Sequence, residues 1–441
     1  MPPLERPARP DPASRARSAN HSPDRPGRPD VAGTAGTSGT SGPPRPAARA
    51  ETTLLHTGRP GGALTGPVNP PLYRCSTITF DSVAEYERAA AGRFDQLLYG
   101  RAGSPTLWAL EDALCELEGA ADCVLLPAGL AAIQTALLAV LAAGDHLLVP
   151  HAVYPPVRQL CGNTLRRFGV EVEYYDPTLG AGIEALLRPN TRAVYVESPG
   201  TFTFEVQDLP AIAAAAHAAG AVVIADNTWA AGLLCRALDL GADLVVHSGT
   251  KYLAGHADTL IGAVLANAAQ AERLREYWFE AGSCAGADEA WLTLRGLRTL
   301  PVRLRQHQAS ALAVARWLEQ QPQVARVHYP ALPGHPQHAL WRRDFQGASG
   351  LLAFVPAAAS DAQVDACANA LRWFRIGVSW GGYESLVLPG RPAHGAPDGP
   401  KLLRLHVGLE HVDDLIADLA QALPALGQAQ RPAPPLAGPD G

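Results

Sequence analysis

Only two lysines occur among the 441 residues, Lys251 and Lys401, while arginine supplies nearly every other positive charge. Lys251 stands in the run Ser248-Gly249-Thr250-Lys251-Tyr252, directly after an apolar stretch. An ammonium can lose its proton when desolvated and attack a carbonyl as a free amine, whereas a guanidinium stays charged and cannot form a Schiff base. A surface lysine that escaped an arginine bias is the plainer reading, and it suits Lys401. For Lys251 the neighbouring residues favour an amine kept to anchor a cofactor.

Asp226 closes the otherwise apolar run 221–226, and a buried carboxylate without a partner is costly. Capping the next segment is the ordinary role for such a residue. Placed 25 residues before a Schiff-base lysine, it is suited to keeping a pyridinium nitrogen protonated. Pro127-Ala128-Gly129-Leu130 joins a strand-like run to a helical one, and the free N–H groups of a helix N-terminus make an anion site that Gly129 lets a phosphate approach. Ser248 and Thr250, flanking the lysine, can add hydroxyls to the same group. Tyr99-Gly100-Arg101 offers a phenol and a guanidinium, with an exposed loop as the equal alternative.

The elements that must position these residues alternate. Strand-like runs at 123–126, 146–149, 170–175, 193–196, 221–226 and 244–247 are separated by helical runs that include 129–142, 154–168 and 209–219. Near-continuous apolar strands between helices predict a mostly parallel sheet covered on both faces, with ligands beyond the strand C-terminal ends. Asp226 and the Ser248 to Lys251 run both fall at such ends. After residue 298 the strict alternation stops: a helix at 301–319, a strand at 349–355, a helix at 361–370 and a strand at 402–407 predict a smaller α+β domain.

Residues 1–50 hold eleven prolines and eight arginines against four acidic residues, with almost no large apolar side chain, so they predict a disordered tail. Residues 430–441 read the same way. The expected organisation is therefore a tail, a segment 51–110, a large domain 111–298, a smaller domain 299–429 and a second tail. A net charge of −6 without a basic stripe argues against a nucleic-acid partner. No apolar run is long enough for a bilayer span, and seven scattered cysteines without a CxxC pair read as reduced thiols of a cytoplasmic protein. His328, His335 and His338 lack a ligand pattern, so no metal is expected.

Together the motifs resemble the pyridoxal-phosphate-dependent Cys/Met metabolism enzymes over residues 51–423. The resemblance is carried by Tyr99-Gly100-Arg101, Cys115-Glu116-Leu117-Glu118-Gly119, Glu197-Ser198-Pro199-Gly200, residues 226–232 and 248–256, Arg295-Gly296-Leu297-Arg298-Thr299-Leu300, Ser379-Trp380-Gly381-Gly382-Tyr383-Glu384-Ser385 and residues 404–410. It implies a fold type I pyridoxal-phosphate transferase-like α/β architecture: a mostly parallel sheet in the large domain and a smaller α+β C-terminal domain. It implies that Lys251 bonds pyridoxal 5'-phosphate and later moves protons, that Asp226 pairs with the pyridine nitrogen, and that Tyr154 stacks on the ring. Gly129, Leu130, Ser248 and Thr250 would hold the phosphate, joined by Tyr99 and Arg101 from the neighbouring subunit. Arg404 would clamp the substrate carboxylate, with Ser379 and Trp380 lining the same pocket. His256 and Asp258 match the family and read as structural support.

Within the family the match is nearest to members that carry out α,β-elimination on L-cystathionine, giving homocysteine, pyruvate and ammonia. That reading rests on residues 226–232 with Trp229 and on the Trp380 run. Val378 departs from it, standing where such enzymes carry a tyrosine. A γ-lyase, a γ-synthase and a sulfhydrylase of O-acylated homoserine share Lys251, Asp226 and Arg404 and remain open, as does a non-catalytic pyridoxal-phosphate-binding protein. The resemblance further implies a homodimer that shares its active sites and a homotetramer built from it.

Overall fold

The computed structural model describes residues 48–58, 68–392 and 401–427. The two expected tails fall outside these residues except for 48–50, the last of which opens a short helix, Ala50–His56.

Seven strands make the main sheet: β1 (Asp122–Leu126), β2 (His146–Pro150), β3 (Glu171–Tyr175), β4 (Thr191–Glu197), β5 (Val222–Asp226), β6 (Leu244–Ser248) and β7 (Gly262–Ala266). Their order is β1-β7-β6-β5-β4-β2-β3. All neighbours run parallel except β7, which is antiparallel to both β1 and β6. Side chains alternate between two apolar layers: Val124, Leu126, Leu147 and Ile224 face one, while Cys123, Leu125, Val223 and Val245 face the other. Burial on both faces explains why these strands read as continuous apolar runs.

β7 escaped the sequence reading. Its Gly-Ala-Val-Leu-Ala sequence carries no alternation and only one β-branched residue. It can run antiparallel because residues 249–261 return to the sheet as a loop, without the helical crossover a parallel strand needs. That loop carries Lys251.

Helices cover both faces. The helix Pro105–Glu118 begins where the Ser104 side chain accepts from Leu107 N–H, has proline in its first turn, and ends at Gly119 with φ 73°, a left-handed cap. The single helix expected over 154–168 is instead an α-helical turn, Pro155–Gln159, that widens into a π-helical stretch, Leu160–Leu165. The remaining expected helices of this region lie at Gly129–Val140 and Leu209–Ala218.

A 20-residue helix, Leu300–Glu319, leads to a five-stranded sheet. It contains β8 (Val324–His328), β9 (Leu351–Pro356), β10 (Arg375–Ile376), β11 (Leu386–Gly390) and β12 (Leu402–His406), in the order β10-β11-β12-β9-β8. β8, β10 and β11 were not legible: β8 is largely exposed and interrupted by Arg326, β10 has two residues, and β11 contains Pro389. The helix Asp361–Ala370 is set by a capping box between Ser360 and Gln363. β12 returns Arg404 and His406 toward the main sheet.

All seven cysteines are free. Cys123, Cys161, Cys235 and Cys367 are buried, but Cys75 is exposed. No described helix is long and apolar enough to cross a membrane.

Candidate active site

The C-terminal ends of β4, β5 and β6 deliver Glu197, Asp226 and Ser248 to one edge of the sheet. A cavity of about 250 Å³ opens there, lined by Gly129, Leu130, Tyr154, Asp226, Ser248, Thr250, Lys251, Trp380 and Arg404 together with Glu197 and Trp229. Nine of the twelve residues singled out from the sequence thus share one wall system. Ser379 touches the same site through Lys251, whose Nζ donates to its Oγ at 2.8 Å. Beyond Ser379 and Trp380 a wider recess of about 860 Å³ continues along Asp258, Glu289 and Glu384.

Tyr99 and Arg101 do not reach this cavity within the chain. They line a separate recess with Cys284 and Asp288, where the Arg101 guanidinium donates to Phe279 O and lies 4.2 Å from the Phe279 ring centroid.

Lys251 follows β6 in a tight turn, its N–H donating to Ser248 O at 3.1 Å. Burial, then the nearby Arg404 charge, lower its amine from 10.5 to about 8, opposed by Asp226. The ammonium lies 5.4 Å from the Trp380 ring centroid. Trp380 in turn packs on Tyr252, the residue after the lysine. Asp226 accepts from Thr228 N–H at 3.0 Å and from the Tyr195 hydroxyl at 3.1 Å. This leaves the carboxylate oriented and still facing the cavity.

A fully buried group props up both strand ends from below. Glu118 Oε1 accepts from Asn227 Nδ2 at 2.7 Å and lies 2.6 Å from His247 Nε2. Asn227 and His247 adjoin Asp226 and Ser248, so one carboxylate in the Cys115 to Gly119 motif ties together the strands that carry the site.

Gly129 begins its helix after Ala128, which offers no side-chain cap, so the first-turn N–H groups are without one. A Cβ on Gly129 would stand 2.5 Å from Ser248 Oγ, so only glycine lets the turn and the hydroxyl close on one point. Thr250 behaves differently from expectation: its hydroxyl donates to Ile261 O at 3.1 Å and accepts from Ile261 N at 3.0 Å. It braces the loop after Lys251.

Arg404 is 7% exposed and forms no ion pair with a described carboxylate. One guanidinium nitrogen donates to Val378 O at 2.8 Å, and Phe202 lies under the group at 5.3 Å. Burial pulls its pKa from 12.5 down to about 10, against the opposing effect of Tyr154. A buried cation facing a cavity without its own anion is a binding site for one. Val378 itself is 81% exposed.

Sequence reasoning gave no role to Glu197, Tyr195, Thr201 or Phe202. Glu197 sat inside a quoted motif, and a carboxylate ending an apolar strand beside Asp226 was the available signal. Tyr195 gave none, being one more apolar-strand aromatic. His256 is held by its own loop, with Nδ1 2.7 Å from Ala254 O, while Asp258 is exposed at the wider recess. Among the described residues no group of three or more His, Cys, Asp or Glu side chains is arranged to hold a metal.

The family model for Cys/Met metabolism PLP-dependent enzymes matches residues 51–424. The chain belongs to this family. A putative cystathionine beta-lyase of Rhizobium johnstonii is 48% identical over 387 residues, covering 86% of this chain and 96% of its own length. The cystathionine beta-lyase of Escherichia coli is 45% identical, covering 84% and 97%. Among solved structures, a cystathionine gamma synthase of Xanthomonas oryzae pv. oryzae, in complex with aminoacrylate and cysteine, aligns with a TM-score of 0.78 and 34% identity, covering 86% of this chain and 99% of that one.

Members of this Cys/Met family depend on pyridoxal phosphate, and the residues present fit it. The desolvated Lys251 amine suits its aldehyde and the oriented Asp226 carboxylate suits a protonated ring nitrogen. The glycine-lined helix N-terminus beside Ser248 suits its phosphate.

Proposed function

We propose that this member of the Cys/Met family is a carbon–sulfur lyase that carries out α,β-elimination of L-cystathionine to homocysteine, pyruvate and ammonia, a step of methionine biosynthesis. The observation that carries the reading is a deprotonatable Lys251 amine in the same cavity as the unpaired Arg404 guanidinium. Identities of 48% and 45% to proteins named as cystathionine beta-lyases select the β-elimination among the family's reactions.

In this reading Lys251 Nζ holds the cofactor aldehyde, Asp226 the ring nitrogen, Tyr154 a ring face, and Gly129, Leu130 and Ser248 the phosphate side, while Thr250 braces the loop after Lys251. Bound pyridoxal phosphate supplies an electron sink for the charge that develops at the substrate Cα. Arg404 fixes the α-carboxylate by a bidentate contact and so sets which Cα bond faces Lys251. Once the substrate amine has displaced it from the cofactor aldehyde, the free Lys251 Nζ would take the Cα proton; it lies 2.8 Å from Ser379 Oγ, which holds it on the substrate side of the cavity. The same nitrogen then returns a proton toward the leaving sulfur. Trp380 shields the amine from water on the recess side.

Tyr99 and Arg101 serve the cavity of a partner protomer, which their separation from Lys251 within the chain supports. The working form is then at least a homodimer and, by the family resemblance, a homotetramer in the cytoplasm. Val378, exposed on the cavity wall, supports acceptance of cysteine and cystine beside cystathionine.

Incubating the purified holoenzyme with L-cystathionine and separating keto acids tests the reaction. Pyruvate with homocysteine is expected; 2-oxobutyrate with cysteine would replace β-elimination by γ-elimination, and neither product would leave a cofactor-binding protein.

A further inference from the structure

β4 and β5 run parallel and in register, with Glu197 opposite Asp226. Register partners on parallel strands project to the same face about 4.8 Å apart, so two carboxylates end side by side. Asp226 has work assigned to it, but Glu197, 8% exposed and lining the same cavity, has none. No described lysine, arginine or histidine forms an ion pair with it.

What Glu197 does hold is Tyr154 and Thr201. Its Oε2 accepts from Tyr154 N–H at 2.8 Å and its Oε1 accepts from the Thr201 hydroxyl at 2.6 Å. Tyr154 is followed by Pro155 and Pro156, neither of which has an N–H, so its own amide is the last donor that can fix the entry to the helix Pro155–Gln159. Thr201 N–H donates to Ala152 O at 2.8 Å, and a Cβ on Gly200 would fall 2.6 Å from Ala152 Cβ. The loops after β2 and β4 are thus stitched together around one carboxyl.

We propose that Glu197 is a positioning residue for the cofactor: a buried carboxyl in register with Asp226 that pins the Tyr154 backbone and the Thr201 hydroxyl, and so sets the phenol wall of the cavity. Several groups face Glu197: Asp226 and the Tyr195 hydroxyl from the strands, Tyr154 from the loop after β2, and Thr201 from the loop after β4, with the Arg404 charge reaching Tyr154 from β12. Burial first, and Asp226 second, push Glu197 up to about 8, against the hydrogen bonds from Thr201 and Tyr154. Above that pH Glu197 carries a charge and accepts on both oxygens; below it the protonated Oε1 donates to the Thr201 hydroxyl while Oε2 still accepts from Tyr154 N–H.

The inference rests on the pyridoxal-phosphate reading of this cavity and not on the identity of the substrate. Its test is therefore cofactor binding, which stands whether or not cystathionine is turned over. Apoprotein of the wild type, Glu197→Gln and Glu197→Ala is titrated with pyridoxal phosphate at pH 7 and pH 9, following the absorbance of the bound cofactor, with near-ultraviolet circular dichroism as the check on folding. Glu197→Gln keeps an acceptor for Tyr154 N–H and is expected to bind within about threefold of wild type at pH 7. Between the two pH values it should keep the part of the spectral and affinity change that the Lys251 amine contributes and lack the part that Glu197 adds in the wild type. Glu197→Ala is expected to weaken binding roughly tenfold or more at both, since a misplaced wall costs at least that much. Wild-type affinity in a folded Glu197→Ala variant would overturn the proposal. So would an alkaline transition in Glu197→Gln equal to that of the wild type, which decides the matter even if the alanine variant does not fold.

Discussion

Replacing Arg404 by methionine separates binding from stability in opposite directions. The guanidinium is 7% exposed, has no carboxylate partner among the described residues, and is held from 12.5 down to about 10. A base whose folded pKa lies below its unfolded value weakens the fold at all pH values below the folded pKa, and a depression of that size corresponds to roughly 3 kcal/mol at pH 7. The hydrogen bond to Val378 O returns about 1 to 2 kcal/mol of this, so the apoprotein should lose nothing or gain about 1 to 2 kcal/mol on losing the charge. Turnover should move the other way. Removing one partner of a buried, charge-assisted pair costs about 2 to 5 kcal/mol, which is roughly one and a half to three and a half orders of magnitude in kcat/KM at about 1.4 kcal/mol per factor of ten. Urea denaturation of the apoprotein and keto-acid release by the holoenzyme read the two effects. A kcat/KM within tenfold of wild type would refute the carboxylate role, and a large loss of apoprotein stability would make Arg404 a structural cation.

Three further outcomes follow from the geometry. Lys251 is depressed from 10.5 to about 8, so folded apoprotein holds that proton more weakly than the unfolded chain; its stability should rise as pH climbs from about 8 toward 10.5, and the rate of pyridoxal-phosphate capture should rise through about 8 and then level off, measured by stopped-flow absorbance. A capture rate independent of pH from 6 to 9 would contradict a desolvated amine. Glu118→Ala, which leaves His247 and Asn227 without their shared acceptor, should cost about 3 to 5 kcal/mol of apoprotein stability, and a loss below about 1 kcal/mol in urea denaturation would remove Glu118 as the support of β5 and β6. Mixing inactive Lys251→Ala with inactive Arg101→Ala protein and allowing subunits to exchange should restore about a quarter of the wild-type activity, because half the dimers become mixed and each carries one complete site. No recovery, with exchange verified by labelled subunits, would place Arg101 outside its partner's cavity.

The parallel sheet was legible because strands buried on both faces must be apolar throughout, and the lysine was legible because the chain uses so few. Asp226 and Ser248 followed from one geometric rule, that ligands gather beyond strand C-terminal ends, and Gly129 from the anion site that a helix N-terminus makes. What stayed hidden had physical causes. β7 has no alternation to find, β8 is largely exposed with Arg326 at its centre, and the π-helical stretch at Leu160–Leu165 shares its residue types with an α-helix. Thr250 was assigned by its place beside the lysine and by the family resemblance, and only the fold shows its hydroxyl taken by Ile261 in both directions.

Glu197 marks the limit most sharply. It ends an apolar strand as Asp226 does, and the rule that singled out one carboxylate singled out the other equally well. Strand order decides what sequence order cannot: β4 and β5 are neighbours in register, so the two side chains share a face and cannot both be charged at little cost. The Tyr195 hydroxyl and Thr228 N–H donate to Asp226 and orient it. Glu197 receives a backbone N–H and a threonine hydroxyl and is pushed up to about 8 by burial and by its neighbour. The division of labour proposed for these two like residues therefore follows pairing across the sheet, with Asp226 left to meet the ring nitrogen and Glu197 to fix the wall beside it.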